Sequence, residues 1–384
     1  MDKTHIHGRN QRTHRAFAAI SKFIRANAVL CIAAVLAIFT AVIVPPDKDY
    51  LGYFDLKTLS CLFATLAVIC ALKNIKFFTI IACKIVSKAG NVRTLALTLV
   101  YIIFIGSMFI ANDMALITFL PLGYIALTST GKEKYMAHLF ITQNIAANLG
   151  GMLTPFGNPQ NLFIFTKFSV PTLEFMSIMA PPFIISILLF TLSCIILPKE
   201  KLDIIDDENV KLPKKRTAFY LILFALTVVM VFRVLPYYIC LPIILIAILI
   251  SDRSALKKVD YALLFTFVFF FIIAGNISRI DLVSKFFSSL LERSTFLTTV
   301  FSCQIISNVP SAILLSEFTE NYKELLLGVN IGGAGTLISS LASLITFKEY
   351  TSHVKGKTLS YLVRFTVMNF AFLAVLVIFT LILL

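Results

Sequence analysis

The chain has 384 residues, 58% hydrophobic and 14% charged, with a mean hydropathy of +0.90 and a formal net charge of +14. A soluble domain carries nearer a quarter charged residues, and here the apolar residues fall in runs long enough to cross a bilayer, which excludes a soluble enzyme or binding module. The basic excess is scattered over short loops between those runs; that is a topology signal rather than a nucleic-acid footprint, so the bilayer is the expected partner and nucleic acid is not.

Residues 1–26 form a basic tail (Lys3, Arg9, Arg12, Arg15, Lys22, Arg25), expected in the cytoplasm. The apolar run after it resembles a signal peptide but lacks a small-residue cleavage site, so a retained span over 27–45 is expected. A second span follows at 57–73. Ile75–Ser87 is amphipathic, with Lys76, Lys84 and Lys88 on one helical face; it reads as an interfacial helix or as an extension of the preceding one. Thr94 to Leu127 is apolar with one charge, Asp113, and is too long for one span and short for two. Both its flanks are basic, so a re-entrant hairpin over 92–129 with its tip at Asn112-Asp113 satisfies length and charge together.

A broken helix over 135–168 is expected next. Asn148-Leu149-Gly150-Gly151-Met152-Leu153-Thr154 interrupts it, and Pro155 and Pro159 limit the helix around Gly157-Asn158. After a span at 172–197, a polar linker over 199–216, expected in the cytoplasm, divides the chain into halves 27–198 and 217–384. Spans at 217–235, 237–251 and 260–276 follow, with the stretch Asp260–Asn276 resembling Asp55–Asn74. A Lys-bearing amphipathic stretch covers Ile277–Leu291. Thr295–Leu315 is long enough for a single span, but Pro310 removes a helix hydrogen bond and pushes Val309 toward an extended conformation. A second hairpin over 295–316 is therefore expected, with its tip at Ser307-Asn308. The second broken helix, 322–347, carries Asn330-Ile331-Gly332-Gly333-Ala334-Gly335-Thr336, which repeats the first motif, and the last span is 359–384.

With the N-terminus inside and both hairpins re-entrant, 25 of the 34 basic residues fall in cytoplasmic segments. This topology gives the halves opposite orientations. The expected fold is an all-α polytopic membrane protein, an inverted repeat with two re-entrant hairpins and two broken transmembrane helices.

Polar breaks at matching places in two halves point to a site at the repeat interface. Broken helices leave backbone groups unpaired at membrane depth, where they line a cavity or bind something. Helix N-termini suit anions and half-helix carbonyl ends suit Na⁺. The candidate substrate- and ion-binding residues are Asn112, Asp113, Asn148, Gly150, Gly151, Thr154, Asn158, Ser307, Asn308, Asn330, Gly332, Gly333 and Thr336, with Na⁺ expected near Asn112, Asp113 and Asn308. Asn144, Asn161, Ser339, Ser340 and Ser343 are weaker candidates. For the repeated Asn and Thr the plainer reading is helix packing through small residues and interhelical hydrogen bonds. Asp113 either serves coupling, through Na⁺ or a proton, or caps the second hairpin helix.

The seven cysteines lie in or beside apolar stretches and read as small core residues, and no His-rich metal site is in view. No His-Glu-x-x-His, paired catalytic Asp or nucleotide-binding loop is present, which leaves an intramembrane enzyme a remote alternative and cofactors none.

Ala111-Asn112-Asp113-Met114-Ala115-Leu116, Leu153-Thr154-Pro155-Phe156-Gly157-Asn158-Pro159-Gln160-Asn161, Ser307-Asn308-Val309-Pro310 and Leu327-Gly328-Val329-Asn330-Ile331-Gly332-Gly333 resemble the citrate-transporter-like permeases. That group includes the ArsB/NhaD permeases and is related to the divalent anion:sodium symporters of the ion transporter superfamily. The resemblance implies a scaffold domain, a transport domain holding hairpins and broken helices, an elevator-like motion and a homodimer. In sodium-coupled carboxylate members each hairpin tip carries Ser-Asn-Thr; here the tips read Ala-Asn-Asp and Ser-Asn-Val. The expected function is a non-enzymatic secondary transporter of a small anion, such as citrate or a dicarboxylate, coupled to Na⁺ or H⁺ in the cytoplasmic membrane. A Na⁺/H⁺ antiporter and an arsenite-type permease are the alternatives.

Overall fold

A computed structural model describes Ile24 and residues 27–202 and 212–384. The basic tail and the middle of the 199–216 linker lie outside the described residues. Among these residues the chain is helical, with one isolated bridge between Asn91 and Lys201 and no strand.

The first half holds α1 (Ala28–Ile43), α2 (Leu56–Asn74), α3 (Phe77–Val86), a hairpin of α4 (Val92–Gly106) and α5 (Asn112–Ser129), a broken helix of α6 (Met136–Gly150) and α7 (Pro159–Lys167), and α8 (Thr172–Ile195). The second half holds α9 (Lys214–Val231), α10 (Tyr237–Ser251), the short α11 (Arg253–Lys257), α12 (Tyr261–Ser278), α13 (Asp281–Arg293), a hairpin of α14 (Thr295–Ile306) and α15 (Asn308–Leu315), a broken helix of α16 (Tyr322–Ile331) and α17 (Leu341–His353), and α18 (Thr358–Leu383). From α2 and from α12 onward the order is the same: helix, amphipathic helix, hairpin, broken helix, helix.

The local chemistry repeats too. Asp55 caps α2 by accepting from Thr58 N at 2.9 Å, and Asp260 caps α12 by accepting from Leu263 N at 2.9 Å. Asn91 and Ser294 cap the first arms of the hairpins through Thr94 N and Leu297 N. Each such cap satisfies one of the orphan N–H groups of a helix start.

α2, α8, α12 and α18 are long and apolar enough to cross a membrane, and α1, α4, α10 and α14 are shorter apolar helices. Large apolar side chains point outward along the flanking helices, among them Val42, Ile184, Ile222, Ile250 and Ile382. With so much apolar surface facing outward and so little charge, the chain is a polytopic membrane protein. The half-helices sit inside: α6 is buried along nearly its whole length, and α16 from Leu325 to Ile331. The distal half of each broken helix packs on the tip arm of the other half's hairpin, α17 on α5 and α7 on α15. α1 pairs with α12 and forms an opposing wall.

Three expectations are corrected. Val309 is helical rather than extended, because Pro310 sits in the first turn of α15, where a missing N–H costs little. The break is at Ser307, the residue between α14 and α15, with φ +77°. The distal half of the second broken helix runs past 347 to His353. Lys76 is left-handed at φ 56° and precedes α3, so of the three lysines read as one face only Lys84 lies on that helix.

Candidate functional site

Both hairpin tips open onto one cavity of about 370 Å³. Asn112 and Asp113 line it from the first tip, Ser307 and Asn308 from the second, and Gln160 and Ser340 from the starts of the distal half-helices. Its far wall is apolar, from α1 and α12, including Leu36, Phe270 and Ile273. Four helix N-termini therefore meet here: α5 at Asn112, α15 at Asn308, α7 at Pro159 and α17 at Leu341. Among the described lining residues Asp113 alone carries a charge, and none is Lys or Arg.

Asp113 is not the cap of α5. Ala111 occupies the N-cap position without a side-chain bond, and the Asp113 backbone N–H donates to Asn112 Oδ1 at 2.9 Å. The Asp113 Oδ1 atom is buried with no hydrogen-bond partner among the described residues, as is Gln160 Oε1.

Behind the tips a buried amide network joins the halves. Asn112 Nδ2 donates to Asn148 Oδ1 at 3.1 Å, and Ser340 Oγ donates to the same oxygen at 2.7 Å. Asn158 Nδ2 reaches Asn330 Oδ1 at 3.4 Å, and Asn330 Nδ2 donates to Asn161 Oδ1 at 2.6 Å. Asn144 Nδ2 donates to Ser343 Oγ at 3.2 Å. Each proximal Asn of one break is thus held by the distal half-helix of the other.

The threonines act alike. Thr154 Oγ1 donates to Met108 O at 2.7 Å, and Thr336 Oγ1 donates to Gln304 O at 3.0 Å. Both acceptors lie four residues before the tip asparagine of the same half's hairpin. The paired glycines make room at equivalent places. A Cβ on Gly150 would lie 2.4 Å from Ser107 Oγ, and one on Gly332 would lie 2.9 Å from Cys303 Cβ, each neighbour being five residues before its tip asparagine. A Cβ on Gly151 would meet Asn158, and one on Gly333 would meet Asn308 Nδ2.

Of the sequence candidates, Asn112, Asp113, Ser307, Asn308 and the weaker Ser340 line the cavity. Asn148, Gly150, Gly151, Thr154, Asn158, Asn330, Gly332, Gly333 and Thr336 do not: Asn148, Thr154 and Thr336 bond the hairpins from behind, and Asn158 and Asn330 bond each other between the halves. Ser339 O accepts from Asn308 N at 3.0 Å. Two residues were missed. Gln160 lies inside the Gly157–Asn161 stretch on which the resemblance rests, and its place before Asn161 at a half-helix start was the available signal. Gln304 reads as one more polar residue in an apolar arm, and nothing in the sequence marks its role.

The sequence profile of the citrate transporter family matches residues 16–321, which covers both hairpins and the first broken helix. The chain belongs to that family. An "Uncharacterized transporter MJ0456" of Methanocaldococcus jannaschii is 34% identical over 281 residues, covering 72% of this chain and 76% of the relative. An "Inner membrane protein YbiR" of Escherichia coli is 27% identical over 266 residues, covering 67% and 70%. The family consists of membrane transporters of the citrate-permease type, and the fold is that of a multi-pass membrane protein.

Proposed function

We propose that this protein is a secondary active transporter that carries a small carboxylate of the citrate or dicarboxylate type across the cell membrane, coupled to Na⁺ or H⁺. The observation that carries the reading is the convergence of four helix N-termini on one cavity that also receives both hairpin tips. Each N-terminus favours an anion by about 0.3–1 kcal/mol, or up to about 2 when partly buried. Four together supply a few kcal/mol, roughly two decades of affinity, without a Lys or Arg.

Asp113 opposes that field, and the opposition is the argument for coupling. An anion beside an ionised, unpaired carboxylate is repelled; a cation or a proton on Asp113 turns the repulsion off. Carboxylate and carboxamide oxygens suit Na⁺, and the same carboxylate suits a proton. In this reading the protein catalyses no covalent chemistry.

The two halves are read as inverted repeats with re-entrant hairpins and a cytoplasmic N-terminus. Arms of 12 and 8 residues in the second hairpin extend roughly 18 and 12 Å, short of a hydrocarbon core of about 30 Å. Motion of the hairpins and broken helices against the α1/α12 wall would be elevator-like, within a homodimer.

The test is uptake of labelled citrate, succinate and sulfate into proteoliposomes under a Na⁺ gradient and then a pH gradient. Uptake of one anion should follow one gradient, lose that dependence in Asp113→Asn, and fall at least tenfold in Asn308→Ala. A second reading, a Na⁺/H⁺ antiporter, is favoured by the unpartnered Asp113 oxygen alone. Na⁺-dependent proton flux that needs Asp113, with no anion movement, would establish it instead.

A further inference from the structure

A second cavity of about 250 Å³ adjoins the first and shares Asp113, Pro159, Leu263, Thr266, Leu341 and Leu344 with it. The direction of this continuation is fixed by three helices. Along α1 the lining passes from Leu36 and Ile32 in the first cavity to Leu30 and Asn27 in the second. On α12 it passes from Ile277 and Phe270 to Ala262 and Asp260, and on α17 from Ser340 to Lys348. The two cavities are one cleft that runs from the hairpin tips to the Asn27, Asp260 and Lys348 ends of those helices.

The charges at that end are unequal in their commitments. Asp260 is engaged as the cap of α12, accepting from Leu263 N at 2.9 Å. Nearby Asp252 accepts from Asn74 Nδ2 and Ser254 Oγ. Lys348 lines the cavity, is exposed, and has no ion pair among the described residues, while its neighbour Glu349 is paired with His353. The Lys73 ammonium lies 4.0 Å from the sulfur of Met114, a lining residue, and also has no carboxylate partner among the described residues. Lys348 thus stands in the lining at the mouth beside Asp260, Lys73 reaches the cleft only through Met114, and Asp113 stands at the inner end.

We infer that this lower cleft is an anion vestibule, in which Lys348 and Lys73 collect a carboxylate on its way between the cytoplasm and the hairpin tips. The inference rests on the anionic cargo and cytoplasmic N-terminus proposed above. An ammonium group without a carboxylate partner attracts anions to its surroundings, and the Asp260 carboxylate in the same lining, held at the start of α12, works against that attraction.

The test reads the field without needing turnover or an identified substrate. Ile345→Cys places a thiol in the vestibule, one turn before Lys348, in a background with Cys31→Ser and Cys83→Ser, the two native cysteines that are not buried. Two membrane-impermeant methanethiosulfonates are compared, one with a sulfonate and one with a trimethylammonium head, each normalised to its rate on free cysteine. The sulfonate should react faster, and only from the side that carries the N-terminus. Lys348→Glu should lower the sulfonate-to-ammonium ratio about three- to tenfold, with Lys348→Gln and Lys73→Gln between, as expected for single charges a few ångströms away in water. A faster ammonium reagent, or a ratio indifferent to Lys348 and Lys73, overturns the vestibule and makes the cleft the cation's route. Absence of anion uptake in proteoliposomes would instead defeat the transport reading, and the labelling ratio would still report the field.

Discussion

The two broken helices share one frame and close it differently. In the first, the clamp comes from the break's own distal half: Asn161 Nδ2 lies 3.0–3.3 Å from the carbonyl oxygens of Gly151, Met152 and Thr154. Its hairpin is attached through two side-chain bonds, Thr154 to Met108 O and Asn112 to Asn148. In the second, the clamp comes from the hairpin itself. Gln304 Nε2 lies 2.8–3.3 Å from the carbonyls of Gly332, Ala334 and Val300, and its Oε1 accepts from Thr336 N at 2.9 Å. The second hairpin and its break are therefore one body, and the first hairpin tip rests on its break by fewer bonds. That more lightly held tip is the one that carries Asp113. The two halves share these backbone contacts and differ where the charge sits.

The largest expected difference concerns the glycines. A Cβ on Gly150 would lie 2.2 Å from Phe104 O, a backbone atom fixed inside α4. Gly150→Ala should therefore cost about 3 kcal/mol or more through overpacking, seen as loss of monodisperse protein in detergent at temperatures the parent survives. A Cβ on Gly333 would meet Asn308 Nδ2 at 3.2 Å, a contact that a shift of a few tenths of an ångström relieves. Gly333→Ala should keep its heat resistance and lose uptake, because what shifts is the second tip. Equal heat resistance in the two variants would remove the distinction between a wall at Gly150 and a tip at Gly333.

Clamp and tether separate next. Gln304→Leu strands the Gly332 and Ala334 carbonyls at membrane depth, where each unpaired group costs about 1–3 kcal/mol. Thr154→Val removes one bond worth about 1 kcal/mol from a tip with little else to hold it, and uptake should fall about fivefold. Thr336→Val leaves the Gln304 clamp in place and should change uptake less than twofold. The reverse order for the two threonines, measured as initial uptake rates at matched protein density, would show that the first tip is held by contacts other than Thr154.

Much of this was legible in the sequence because it was written in residues that are costly in a membrane. Asn, paired Gly and Asp interrupt apolar runs at Asn112-Asp113, Asn148–Thr154, Ser307-Asn308 and Asn330–Thr336, and each interruption is a break in the structure. What was not legible depends on backbone geometry. Pro310 implies an extended Val309, yet a proline is harmless in a first helical turn, and the chain turns at Ser307 with a positive φ that no propensity assigns to serine. Gln304 and Gln160 were passed over because a lone glutamine has no spacing partner; their roles appear only when two segments distant in sequence are brought within hydrogen-bond reach. Asn148 and Asn330 stand behind the cavity, their amides used to join the halves, which is the packing role that the sequence offers beside the binding one.

The smallest expected effect concerns the loops that lead from each hairpin into its broken helix. The first is tied to the chain beyond α8: Glu200 accepts from Lys132 Nζ at 2.7 Å, Lys134 Nζ at 2.9 Å and the Tyr135 hydroxyl. The second is tied across to the first half by Glu174, which accepts from Tyr322 OH at 2.8 Å and pairs with Lys323 at 3.1 Å. The hydrogen bond from Lys132, followed by those from Tyr135 and Lys134, holds the Glu200 carboxyl down at about 2, against 4.5 ordinarily. A carboxylate with a depressed folded-state value stabilises the fold above its unfolded value and loses that contribution as the pH falls toward the folded one. Heat resistance in detergent should therefore drop between about pH 4.5 and 2 by more in the parent than in Glu200→Gln, and by a small amount, because these pairs are partly exposed and solvent screens them. Since Glu200 gathers three donors onto the more lightly held hairpin and Glu174 two onto the clamped one, Glu200→Gln should flatten the acid slope more than Glu174→Gln. An equal flattening would mean that the two loops release together and that the asymmetry of the halves is confined to the breaks.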